Sequence, residues 1–163
     1  MKIAAVICLL SYLCLPIPSL VVRSSGTNDV LWAVPVLQGS VFRITWTHSV
    51  SRRVVSEDYV IGSDGRLCLR RMTFDHEGPN LPSSPEEGLS WKFDGDRIIV
   101  TGYERCMKEL NLGIASEFHQ LQSGPDIVDF VTLSKNNRVF RVSTEPIAAV
   151  RLFTLSCGNI PSI

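Results

Sequence analysis

His48 and Glu57 are the residues whose types and spacing point most directly to chemistry. His48 continues the alternating series Phe42, Ile44, Trp46, and Glu57 falls on the series Val55, Tyr59, Ile61. Both side chains therefore face the apolar side of their segments. The connection 49–54 is short, so the two segments are expected to be neighbours and the two groups to meet across a hairpin. A carboxylate on an apolar face is costly unless it is paired or hydrogen-bonded. An imidazolium, or a hydroxyl such as that of Ser49, would satisfy it. Such a pair has three uses. It can fix hairpin register, capture a ligand at a barrel mouth, or serve acid–base catalysis or metal binding. A one-residue bulge near His48 would reverse its direction.

No other group reaches the specificity of a known signature. His76 and His119 complete the histidines, and neither HxH nor HExxH occurs. His76-Glu77 is expected as a solvated loop pair, and His119 as a surface or rim residue. The serines show no nucleophile elbow. Asp64-Gly65 and Asp94-Gly95 are turn dipeptides outside any calcium-loop pattern. Arg52-Arg53 and Arg70-Arg71 are basic pairs suited to strand ends or to an anionic ligand or lipid headgroup. No cofactor is expected.

These residues need strands to position them. Val41-Phe-Arg-Ile-Thr-Trp46 and residues 54–61 alternate in polarity. Ser63-Asp-Gly65 is a turn that joins the second to a strand over residues 66–74. Trp91-Lys-Phe93 and residues 97–101 flank Asp94-Gly-Asp96 in the same way. Residues 109–115 alternate with Leu110, Leu112 and Ile114 inward. Residues 127–133 and 138–144 flank Ser134-Lys-Asn-Asn137, which predicts another hairpin. Arg151-Leu-Phe-Thr-Leu155 is a candidate last strand, and residues 77–88 are a long surface loop. Short strands at this spacing predict an all-β domain, a small antiparallel barrel or sandwich.

The front differs from the body. Met1-Lys2 precedes 13 uncharged residues, 3–15, and the uncharged stretch extends to Val22 across Pro16 and Pro18. This pattern predicts an N-terminal apolar helix over residues 1–22, either a cleaved signal peptide or a membrane anchor. The domain plan is then residues 1–22 as signal or anchor, 23–40 as linker and first strand, 41–155 as the β-domain and 156–163 as a tail. Beyond the front lie Cys68, Cys106 and Cys157. In an oxidising compartment Cys68 and Cys106 are the expected pair; otherwise all three are buried thiols. There is no CxxC, which argues against structural zinc. The 16 Lys+Arg balance 16 Asp+Glu, so nucleic acid is not an expected partner. With 45% hydrophobic and 20% charged residues the chain can bury a core.

Several short blocks resemble the domain-of-unknown-function family 1850. They are Ile44-Thr-Trp-Thr-His-Ser-Val50, then Glu57 and Tyr59, Asp64-Gly65, and Phe74-Asp-His-Glu-Gly-Pro-Asn-Leu-Pro82. Gly78, Leu81 and Pro82 match that family's Gly-Ala-Gly-Leu-Pro loop, with Pro79 for its alanine and Asn80 for its second glycine. Asn tolerates a left-handed backbone, so the turn can survive. His119-Gln-Leu121 is similar to a later His-x-Leu element. The resemblance spans residues 41–144. It implies a small exported or membrane-anchored bacterial protein, periplasmic or on the outer face of the membrane. It also implies an accessory role, by binding, beside TRAP transporters with TAXI-type solute receptors. The expected partners are the permease, the receptor or a small organic anion, and the residues expected to form the binding site are His48, Ser49, Glu57, Gly78 and Asn80. The resemblance carries over no established activity, and the protein is expected not to be an enzyme. A hydrolase using a His48/Glu57 dyad and a purely structural envelope protein are the alternatives.

Overall fold

The computed structural model describes residues 14–76, 78, 81–82, 84, 88–133 and 138–158, the side chains of 156–158 excepted. Two antiparallel sheets face each other. The smaller is ordered β2-β1-β12-β9 and the larger β11-β10-β3-β4-β5-β7-β6, with β8 paired to β5. Neither closes into a barrel, so the sandwich is the form adopted. The strands of the small sheet are β1 (Pro16–Ser24), β2 (Val30–Pro35), β9 (Glu109–Gly113) and β12 (Val139–Ala148). Those of the large sheet are β3 (Val41–Thr47), β4 (Val54–Ile61), β5 (Leu67–Phe74), β6 (Ser90–Asp94), β7 (Arg97–Thr101), β8 (Cys106–Met107), β10 (His119–Ser123) and β11 (Asp126–Asp129). Two helices, α1 (Phe130–Leu133) and α2 (Ala149–Gly158), complete the described elements.

One core joins the sheets. Leu20, Val22 and Phe140 from the small sheet pack with Phe42, Ile44 and Leu121 from the large one, each at most 1% exposed. Alternation explains the outer faces as well. Asp58 points away from the core, where Arg43 and Arg71 hold it at 2.6 and 3.1 Å. The β4–β5 and β6–β7 hairpins form as the turn residues predict. Gly65 takes φ +76 in the first of these, a left-handed position that suits glycine. The Gly65 carbonyl accepts a hydrogen bond from the Thr144 hydroxyl at 2.5 Å, tying the hairpin to the opposite sheet.

The front of the chain departs from expectation. Pro16–Ser24 is not part of a signal or anchor helix but an inner strand of the small sheet, paired with β12 over its whole length and also with β2. An uncharged run with no polar face describes a strand buried on both sides as well as it describes a membrane helix. Residues 1–13 lie outside the described residues. Among the described residues no helix is long and apolar enough to cross a membrane.

Two further segments differ. The predicted hairpin around Ser134-Asn137 is not formed. Residues 126–129 pair with β10, 130–133 turn into α1, and β12 joins the other sheet. Residues 134–137 themselves lie outside the described residues. The candidate strand 151–155 is the middle of α2, whose Leu152 packs with Val21, Val30, Ala33 and Ile147.

Candidate functional site

β3 and β4 set the geometry. Their register pairs Ile44 with Glu57, Trp46 with Val55 and Thr47 with Val54. The cross-strand neighbour of His48 is Arg53, whose carbonyl accepts the His48 amide at 2.8 Å. Glu57 lies four residues farther back, roughly 13 Å along the strand. The expected meeting across the hairpin is thus corrected: the two residues come from faces that match in parity, but their registers do not coincide.

His48 builds the turn instead. Its Nδ1 accepts the amides of Val50 and Ser51 at 3.3 and 3.2 Å, which leaves Nε2 to carry the hydrogen of the neutral ring. The imidazole is 8% exposed. Gly78 lies against it, since a Cβ there would sit 3.6 Å from His48 Cε1. Gly78 therefore packs on the hairpin, and an Arg53–Asp75 ion pair of 2.7 Å ties the residue after β5 to the same turn. Ser49 is exposed beside them. Of the expected set, the structure brings His48, Ser49 and Gly78 together, places Glu57 elsewhere, and leaves Asn80 outside the described residues.

Glu57 opens onto a different cavity, of about 470 Å³, between the sheets. The Tyr59 hydroxyl donates to Glu57 Oε2 at 2.5 Å, and the Tyr59 ring stacks on Phe42 at 5.1 Å. A bulge between β4 and β5 falls at Asp58/Tyr59, where the local twist re-aims side chains. Burial pushes the Glu57 carboxyl above the usual carboxylate range, while Tyr59 and the charge of Arg105 oppose that rise. Burial, and then the neighbouring carboxylate, push the Tyr59 hydroxyl up as well. Leu69, Met72, Leu81 and Leu110 supply apolar wall, and the exposed Arg105 lies at the mouth. The Cys68–Cys106 disulfide joins β5 to β8 beside it, and the Arg105 carbonyl accepts the Leu69 amide at 3.0 Å. Arg105 is thereby held to the cavity rim.

Leu81 also lines a second cavity of about 290 Å³, with Trp46, His48, Ser49, Ser116 and His119. His119 is not a rim residue: it pairs with Trp46 in register, stacks on it at 5.9 Å and meets Phe130 edge-on at 5.3 Å. It is 6% exposed, and its Nε2 is buried without a hydrogen-bond partner. Burial pushes its imidazole down to about 4, so the ring is neutral at pH 7. Among the described residues no group of three His, Cys, Asp or Glu is arranged to hold a metal.

A family model described as "Domain of unknown function (DUF1850)" matches residues 42–123, half of the chain. The chain belongs to this family. No curated protein and no solved structure matches it. The DUF1850 match begins in β3 and ends at the close of β10, so it contains His48, Glu57, Tyr59, Arg105 and His119. It leaves out β1, β2 and β12, the strands that close the core from the other side.

Sequence parity identified Glu57 but passed over its partner, although Tyr59 lies two residues on and on the same face. Arg105 carried no local signal, because the β7–β8 connection and the disulfide bring it to the cavity from a distant part of the chain. The arrangement offers an acceptor carboxylate, a hydroxyl and a cation around an apolar space. Among the described residues, the side chains lining that space include no serine, threonine or free thiol.

Proposed function

We propose that this DUF1850 protein is an extracytoplasmic, non-enzymatic β-sandwich that binds a small organic acid as an accessory to a TRAP-type transporter with a TAXI receptor. The observation that carries the binding reading is the buried Glu57 carboxyl, hydrogen-bonded by Tyr59, opening onto a cavity with a guanidinium at its mouth. The size of that cavity suits a small molecule. A ligand carboxylate would pair with Arg105. Its apolar body would lie against Leu69, Met72 and Leu110, and a hydroxyl or ammonium at its far end would donate to Glu57. The Cys68–Cys106 disulfide supports an oxidising compartment, and the apolar front supports export. The transporter context rests on what the family resemblance implies.

Calorimetry with a panel of small carboxylic and hydroxy acids tests the binding. The expected result is one or more ligands whose affinity falls at least tenfold in Arg105→Ala and in Glu57→Gln. Failure of the whole panel, or affinity in both variants equal to that of the unsubstituted chain, overturns the reading. Co-purification with a TAXI receptor or its permease tests the accessory role separately.

A further inference from the structure

The 13 uncharged residues 3–15 lead into β1 with no linker. Pro16, the next residue, is already paired with Ala148, and the Leu15 carbonyl accepts the Ala149 amide at 3.2 Å. The start of α2 is thus fixed beside the point where the apolar run leaves the domain. A run of 13 residues makes a helix of only about 20 Å, short of the roughly 30 Å hydrocarbon core. Such a length suits a segment lying in the interface or a signal-peptide core rather than a full span.

The surface at that exit is apolar. Leu15 is 52% exposed, Val150 44% and Phe153 70%. Val150 and Phe153 are three residues apart and so share one face of α2, while Leu152 is buried among Val21, Val30, Ala33 and Ile147. Residues 149–158 contain Arg151 and no acidic residue. An exposed apolar face with a cation beside it is the composition of an interfacial helix on an anionic bilayer.

We infer that Leu15, Val150 and Phe153 form a membrane-docking face, with α2 lying in the headgroup region and Arg151 meeting anionic lipid. The occupant is the bilayer into which residues 3–15 lead. With no tether between run and strand, the domain sits directly on the membrane surface. This inference is independent of the Glu57 cavity.

The test uses the full chain in vesicles of phosphatidylethanolamine and phosphatidylglycerol with brominated acyl chains. Phe153→Trp reports on α2. Phe93→Trp reports on β6, at the opposite end of the large sheet from β11, whose Asp126 and Ile127 line a cavity with Leu155 of α2. The unsubstituted chain supplies the background of Trp32, Trp46 and Trp91. The expected result is that bromine quenches the added emission at residue 153 by about half or more and leaves that at residue 93 unchanged. In the same vesicles, Val150→Asp with Phe153→Asp should weaken association about tenfold, with far-ultraviolet circular dichroism unchanged. Replacing phosphatidylglycerol by phosphatidylcholine should weaken association of the unsubstituted chain. Absent quenching at residue 153, equal quenching at residues 153 and 93, or unaltered association of the double variant would each overturn the inference.

Discussion

The Tyr59 hydroxyl donates a 2.5 Å hydrogen bond to Glu57 Oε2 on the inward face of β4. The two groups depend on each other. Burial favours a protonated Glu57, and the Tyr59 hydroxyl favours the ionised form. Tyr59→Phe removes the donor without emptying the stack on Phe42, so the predicted loss is about 1–3 kcal/mol. Glu57→Gln keeps an acceptor and should cost less than Glu57→Leu, which leaves the hydroxyl unpaired. Urea denaturation of Tyr59→Phe, Glu57→Leu and the double variant checks this. The predicted coupling is about 1 kcal/mol or more, and additive losses would show that the contact contributes nothing.

Parity and register were not equally legible in the sequence. The two-residue period of β3 and β4 placed Ile44, Val55, Glu57 and Tyr59 on the inward face, because alternation alone determines which way a strand side chain points. The period cannot say which residues lie opposite one another. Here the His48–Arg53 hydrogen bond closes the loop, so the ladder begins at Thr47–Val54 and carries Glu57 away from His48. The same limit applies to β12. Its alternation was readable, but its choice of the opposite sheet depends on long-range packing with β1. At the front, residues 16–22 looked like part of a membrane segment because a strand covered by α2 on one face and by the opposing sheet on the other needs no polar side.

His119 predicts acid sensitivity. Its ring is buried against Trp46 and Phe130, and its folded-state value of about 4 lies below the ordinary 6.5. Above pH 6.5 both folded and unfolded chains hold the ring neutral, so it has no effect there. As the pH falls below 6.5 the unfolded chain takes up the proton first, and stability drops until the folded ring also titrates near pH 4. The expected loss over that window is about 3 kcal/mol. His119→Phe keeps an aromatic ring in the stack and should flatten this part of the curve. Stability measured by urea at pH 7, 5.5 and 4.5 decides it: parallel pH profiles for the two proteins would remove His119 as the source.

The disulfide between Cys68 and Cys106 spans 38 residues and should stabilise the fold by about 4 kcal/mol through chain entropy. Replacing both cysteines by serine is expected to lower the urea midpoint accordingly. It should also loosen the segment that holds Arg105. Hydrogen exchange at the Leu69 amide, which bonds to the Arg105 carbonyl, reports on that segment directly. The predicted result is faster exchange there than global destabilisation explains. An unchanged ratio between Leu69 and a core amide such as that of Ile44 would show that the disulfide does not position the rim.

The boundary of any removable leader follows from β1. Leu20, Val21 and Val22 are each 0% exposed. Val21 packs in the cluster under α2, while Leu20 and Val22 enter the core shared by the two sheets. Burying a side chain of this kind contributes about 1.5–3 kcal/mol, so removal of all three costs about as much as a small domain's whole stability. It also separates β2 from β12, which meet only through β1. A chain beginning at Pro16 is therefore predicted to fold with a cooperative urea transition, and a chain beginning at Arg23 is predicted to lack one. The two products, made side by side without residues 1–15, are compared by near-ultraviolet circular dichroism and denaturation. A native-like transition in the chain that starts at Arg23 would show that β1 is dispensable and restore residues 1–22 as a single targeting segment.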